Sequence, residues 1–175
     1  MGYTGGVKEN PTYYSLGDHT ETVEIDYDPT VVSYEDLIEV FWRSHRPTMP
    51  SWSRQYASII FYHDEEQLRL ATESKQRAEE RWGRKIHTEI TPAKTFYLAE
   101  DYHQKYYLRN LSAVEREFLA IYPELTAFVD STAVARANGY VGGYGNAEQM
   151  ERELPQMGLS PEAQERLRQA HSRHH

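Results

Sequence analysis

From Thr20 to Tyr27 the chain alternates, with Val23, Ile25 and Tyr27 on one side and Thr20, Thr22, Glu24 and Asp26 on the other. Successive strand side chains point to opposite faces, so this period of two predicts a half-buried strand. Asp28-Pro29 ends it. The pattern then turns helical: Ser33 offers an N-cap, and Tyr34, Leu37, Ile38 and Phe41 form one apolar stripe through about His45. The apolar run from Ala57 to Tyr62 predicts a buried strand. Asp64 with Gln67 three positions on opens a charged helix that reaches Trp82 and stops at Gly83. Ile86 to Ile90 and Thr95 to Leu98 predict two strands, or one bent at Pro92. A short helix is expected from Asp101 to Leu108.

Beyond Asn110 only helical signals remain. Ser112 with Glu115 reads as a capping box for a helix that stops near Tyr122-Pro123. A second helix is expected over Pro123 to Ala137, ended by Asn138-Gly139. Gly139 to Asn146 reads as a loop. Charged helices follow near Ala147–Met157 and Pro161–Ala170, the latter with Ser160 as N-cap and Pro161 at its first position. The chain thus divides into residues 1–110, with strands and helices mixed, and residues 111–175, a helical C-terminal extension. Strands separated by helices imply a mixed sheet covered by helices. The expected class is α/β (α+β), resembling a ferredoxin-like α/β sandwich without its first strand and helix. Such a sheet has an uncovered edge, so the fold's opening unit is expected ahead of Met1.

Composition narrows the picture. At 175 residues, 39% hydrophobic and 26% charged, the chain suits one ordinary core with an appended segment rather than a disordered polymer. No apolar run approaches the roughly 20 residues of a membrane-spanning helix, and no secretory leader is written, so no membrane association is expected and the cytoplasm is the default location. The net charge of −8 supplies no basic face for phosphates, and nucleic acid is not expected as a partner. The histidines His45, His63, His87 and His103 follow no ligand spacing, so no metal site is expected. There is no cysteine. Tyrosine is abundant, with 14 copies; most fill half-wet packing positions, but a phenol also suits a site that holds a polar ligand.

Strand parity singles out Glu21. Counting back in twos from Tyr27 through Ile25 and Val23 puts its carboxyl on the apolar side. Loss of solvent there raises a carboxyl pKa, which makes Glu21 a candidate general acid. The competing reading leaves Glu21 at a frayed strand end, facing water. Tyr13 and Tyr56 cannot be selected by spacing.

Motifs in collinear order select them. Gly-Tyr-Thr-Gly-Gly stands at 2–6, Asn-Pro-Thr-Tyr at 10–13, His19-Thr20-Glu21, Tyr27-Asp28-Pro29, Phe41-Trp42, Gln55-Tyr56-Ala57-Ser58, Phe96-Tyr97-Leu98-Ala99-Glu100 and Tyr102-His103-Gln104 follow. Over residues 2–110, about three fifths of the chain, this series resembles peptide methionine sulfoxide reductase A. The resemblance implies thiol-dependent reduction of peptide methionine-S-sulfoxide to methionine, the repair of oxidised proteins. It implies Glu21 as acid, with Tyr13 and Tyr56 binding the sulfoxide oxygen. No bound cofactor is implied; thioredoxin or another thiol would be the external reductant.

The departures shape what this chain is expected to do. The family nucleophile lies in a Gly-Cys-Phe-Trp segment that would precede Met1, so these residues are expected to be inactive as they stand. Arg46 occupies a position where the family often has aspartate, and Ser51 stands roughly where the family linker carries another. Gly139-Tyr140-Val141-Gly142-Gly143 resembles a segment that holds a resolving cysteine in many members, with Val141 in its place. The alternatives are a non-catalytic module that binds methionine-containing partners, or an incomplete gene product.

Overall fold

A computed structural model describes residues 1–174, which form two compact units, one over Met1–Ala99 and a second that starts at Glu100. In the first, β1 (Gly2–Thr4) lies between β2 (Thr20–Thr22) and β5 (Tyr97–Leu98), antiparallel to both. A separate parallel pair joins β3 (Ile59–Tyr62) to β4 (Glu89–Pro92), with Ile60 opposite Ile90. Parallel neighbours need a crossover, and here the chain between them carries α2 (Glu65–Trp82). The fold is α+β, with strands in two small sheets rather than the single mixed sheet expected.

The caps explain the helix limits. α1 (Tyr34–Ser44) starts at a complete capping box: the Ser33 hydroxyl accepts from the Asp36 amide, and the Asp36 carboxylate accepts from the Ser33 amide. In α2, Asp64 accepts from the Gln67 amide, and Gly83 ends the helix at φ 59°, a left-handed turn that glycine adopts without a Cβ clash. The two helices close over Ile38, Trp42, Ile60, Ala71, Ala78 and Ile86. Within that layer the Trp42 indole donates to the Ser74 hydroxyl at 3.2 Å, so the buried N–H keeps a partner. A smaller cluster of Tyr3, Leu16 and Ala99 joins the start of the unit to its end, where the Ala99 amide donates to the Met1 carbonyl at 3.1 Å.

The expected strand from Thr20 to Tyr27 is cut short. Pairing ends at Thr22, and Val23 and Ile25 are 67% and 54% exposed. Residues 22–25 and Tyr27 line a cavity of about 210 Å³ together with β3 and α1 residues such as Tyr34 and Phe41. Alternation was real, but the face it marks is covered by no neighbouring strand. The Tyr34 hydroxyl is shielded from water without a hydrogen-bond partner, and burial pushes its pKa up to about 12.

The second unit is helical: α3 (Ser112–Ile121), α4 (Leu125–Asp130), α5 (Thr132–Val141), α6 (Ala147–Glu153) and α7 (Pro161–Ser172). They enclose Phe118, Phe128, Val134, Leu154 and Leu167, all essentially inaccessible. Four expectations fail here. Ser112 caps nothing, because Leu111 takes the N-cap position. The helix expected over Pro123 to Ala137 is two helices, broken at Ser131, whose hydroxyl accepts from the Val134 amide. The second runs through Asn138-Gly139 instead of stopping there, since the Asn138 side chain accepts from the Leu108 amide rather than terminating its own helix. The expected helix over Asp101 to Leu108 is two 3-10 turns, Asp101–His103 and Leu108–Asn110. These turns belong to the second compact unit, which begins before the change of pattern at Asn110.

Candidate active site

The strand β2 gathers the site by holding a loop from elsewhere in the unit. The Thr20 hydroxyl donates to the Arg54 carbonyl at 2.9 Å, and the Glu21 amide donates to the Gln55 carbonyl at 2.9 Å. These contacts run from residues 20 and 21 to residues 54 and 55, so the loop that carries Tyr56 is pinned beside Glu21. On its far side the Arg54 guanidinium contacts both carboxylate oxygens of Glu89 at 2.8 Å. Ser58 is fixed as well, its hydroxyl 2.8 Å from His45 Nε2 and 2.8 Å from the Thr88 hydroxyl.

Tyr13 arrives on a tight turn in which Ser15 donates to the Thr12 carbonyl at 2.9 Å. Leu16, buried just after it, and the ring of Tyr13 itself pack into the cluster around Tyr3. His19 braces the preceding loop. Its Nδ1 accepts from the Gly6 amide at 3.3 Å, which leaves Nε2 to donate to the Lys8 carbonyl at 2.7 Å. Asp18 accepts from the Val7 amide through both oxygens, and those amides hold its carboxyl below the ordinary aspartate range.

The carboxyl of Glu21 and the phenols of Tyr13 and Tyr56 meet in one place. Gln55 Nε2 donates to Glu21 Oε1 at 2.6 Å and to the Tyr56 hydroxyl at 3.2 Å. Hydrogen bonding to Tyr13, then burial, then the charge of Glu21 raise the Tyr56 phenol above its usual pKa. Glu21 is half-buried and Tyr56 is 43% exposed, so the group opens to solvent on one side. A carboxyl and two hydroxyls converging on an open face can donate to a single ligand oxygen. Strand parity does not bury Glu21 as expected: the deeply buried residue of β2 is Thr20, at 2%, on the opposite parity. The partner of Glu21 is the loop laid across it and not an apolar sheet face.

Gln55 was not identified as a site residue from sequence. It stands within the Gln55-Tyr56-Ala57-Ser58 motif, but an amide with no charge and no period gives no signal until the loop is folded. Trp52 was missed for the same reason; its ring lies at 39° to that of Tyr56 with centroids 5.0 Å apart, while remaining 83% exposed.

Fold and site define an α+β protein of a class seen in crystal structures of Mxr1 from Saccharomyces cerevisiae. The reduced form superposes with a TM-score of 0.59 at 31% identity, covering 63% of this chain and 69% of that one. A sequence profile described as "Peptide methionine sulfoxide reductase" matches residues 1–137, and the chain belongs to that family. It is 44% identical to a Drosophila melanogaster protein named peptide methionine sulfoxide reductase, across 92% of this chain and 65% of that protein. It is 50% identical to a protein named MsrA from Methanothermobacter thermautotrophicus, across 63% of this chain and 72% of that one. The chain therefore spans less than two thirds of the Drosophila relative's length.

Proposed function

We propose that Glu21, Tyr13 and Tyr56 form the oxygen-binding half of a site that reduces peptide methionine-S-sulfoxide to methionine. In the reaction a thiol sulfur takes the sulfoxide oxygen, becoming a sulfenic acid, while the S–O bond of the substrate breaks and a thioether leaves. Oxygen departs from sulfur poorly unless it is protonated or strongly hydrogen-bonded. Glu21 supplies the proton, and the phenols of Tyr13 and Tyr56 hold the oxygen as its charge grows. The observation that carries this reading is the Gln55 amide bound at once to Glu21 and Tyr56, which keeps acid and phenol on one ligand.

These 175 residues contain no cysteine, so the thiol is one they do not carry. The chain by itself is expected to bind sulfoxide without turning it over. Recovery of the sulfenic acid falls to a second thiol of the thioredoxin kind, in a cytoplasmic setting; among the described residues no helix is long and apolar enough to cross a membrane.

The test is calorimetric titration of the chain with N-acetyl-methionine-S-sulfoxide amide, its R epimer and the reduced amide. The S-sulfoxide is expected to bind most tightly, and Glu21→Gln and Tyr56→Phe each to weaken it by about tenfold, the effect of one good hydrogen bond to a charged or polarised oxygen. Equal affinity for sulfoxide and thioether, or variants that bind as well as the parent, would sink the reading. Sulfoxide reduction by the chain in dithiothreitol would remove the claim that it lacks the nucleophile.

A further inference from the structure

A second cavity, of about 460 Å³, adjoins the candidate site and shares Tyr56 with it. Its wall carries two guanidinium groups, those of Arg46 and Arg54, with the imidazoles of His45 and His87. Arg54 is already matched by Glu89, which lies on the same wall. Arg46 is exposed and makes no ion pair among the described residues. Ser53, also on the wall, has a hydroxyl shielded from water with no hydrogen-bond partner in the protein.

An orphan donor in a native site asks for an acceptor. A guanidinium with five N–H groups and an unused hydroxyl lining one cavity fit a carboxylate, which offers two oxygens and a negative charge. Because the cavity and the oxygen-binding cluster meet at Tyr56, an occupant can belong to the same peptide as the sulfoxide.

We propose that this cavity receives the carboxylate of an aspartate or glutamate near the oxidised methionine, with Arg46 as the residue that selects acidic substrates. The inference rests on the reading of Glu21, Tyr13 and Tyr56 given above for the identity of the peptide, but the carboxylate site stands on its own lining.

Fluorescein-labelled nonapeptides carrying methionine-S-sulfoxide, flanked by glutamates or by lysines, test it by anisotropy on the full chain at low salt, where exposed charges act over their longest range. The glutamate peptide is expected to bind about five- to tenfold more tightly, a preference within reach of one exposed charge-assisted contact. Arg46→Asp should reverse the order, and Ser53→Ala should narrow it. Sulfoxide peptides that bind in a Glu21- and Tyr56-dependent way, yet ignore flanking charge and Arg46→Asp, overturn the inference and leave the reductase reading intact. Glutamate peptides that bind through Arg46 whether or not the methionine is oxidised keep the carboxylate site and overturn the sulfoxide reading. If none of the peptides binds, both fall.

Discussion

At the scale of single residues, the centre of interest is a phenol whose proton is held by its neighbours. Hydrogen bonding to Tyr13 is the largest cause of the raised Tyr56 pKa, ahead of burial and the charge of Glu21. Tyr13→Phe should therefore return the Tyr56 phenol toward its ordinary value of about 10, read by NMR titration of tyrosine ring carbons with Tyr56→Phe to assign the signal. A titration curve unmoved by Tyr13→Phe would mean the two hydroxyls do not share a proton donor and acceptor. Motif order names Glu21 and Tyr56 where strand geometry does not. The physical reason for Glu21 could not, since its surroundings come from residues 54–56, more than thirty positions along the chain. Gln55 shows the same limit: its two hydrogen bonds exist only once that loop has been laid on β2.

At the scale of elements, the readable parts were those set by local chemistry. Ser33, Asp64 and Gly83 bound their helices where expected, because a cap acts within one turn of chain. Ser33→Ala is expected to cost about 1 kcal/mol of stability, since it removes the acceptor of the Asp36 amide at the end of a helix that packs on the core. Urea unfolding of parent and variant measures it, and an unchanged midpoint would show that the capping box contributes nothing net. The same logic misled at Ser112 and at Asn138-Gly139. Both sequences fit a cap, but Leu111 precedes the first and a distant amide, that of Leu108, engages the second. The alternation from Val23 to Tyr27 was legible as a pattern, but no sequence period states whether a strand will find a neighbour. Here pairing stops at Thr22 and the apolar side faces a cavity.

At the scale of the whole molecule, several carboxylates are tied to amides or hydroxyls in a way that couples stability to pH. The Val7 amide lowers the pKa of Asp18, the Ser33 hydroxyl that of Asp36, and the Ser160 hydroxyl that of Glu117. A carboxyl with a depressed folded-state pKa adds stability above its unfolded value, and that stability is lost as pH falls through the folded value. Unfolded aspartate and glutamate titrate near about 4, so the melting temperature should hold steady from neutrality to about pH 5 and fall below about pH 4. Calorimetry across that range checks it; a melting temperature that rises on acidification would reverse the sign assigned to these groups.

The pairing of β1 with β5 has a consequence in time as well as in space. Gly2 lies opposite Leu98, so the central strand of the first sheet acquires its second neighbour only when nearly all of the unit exists. On a ribosome, the segment around Gly2 emerges long before Tyr97 and Leu98 are synthesised, and it has to wait with one side open. Closing so long a loop is slow compared with winding a helix, which makes α1 and α2 the early structure of the nascent chain and the clasp at Met1 and Ala99 its last stitch.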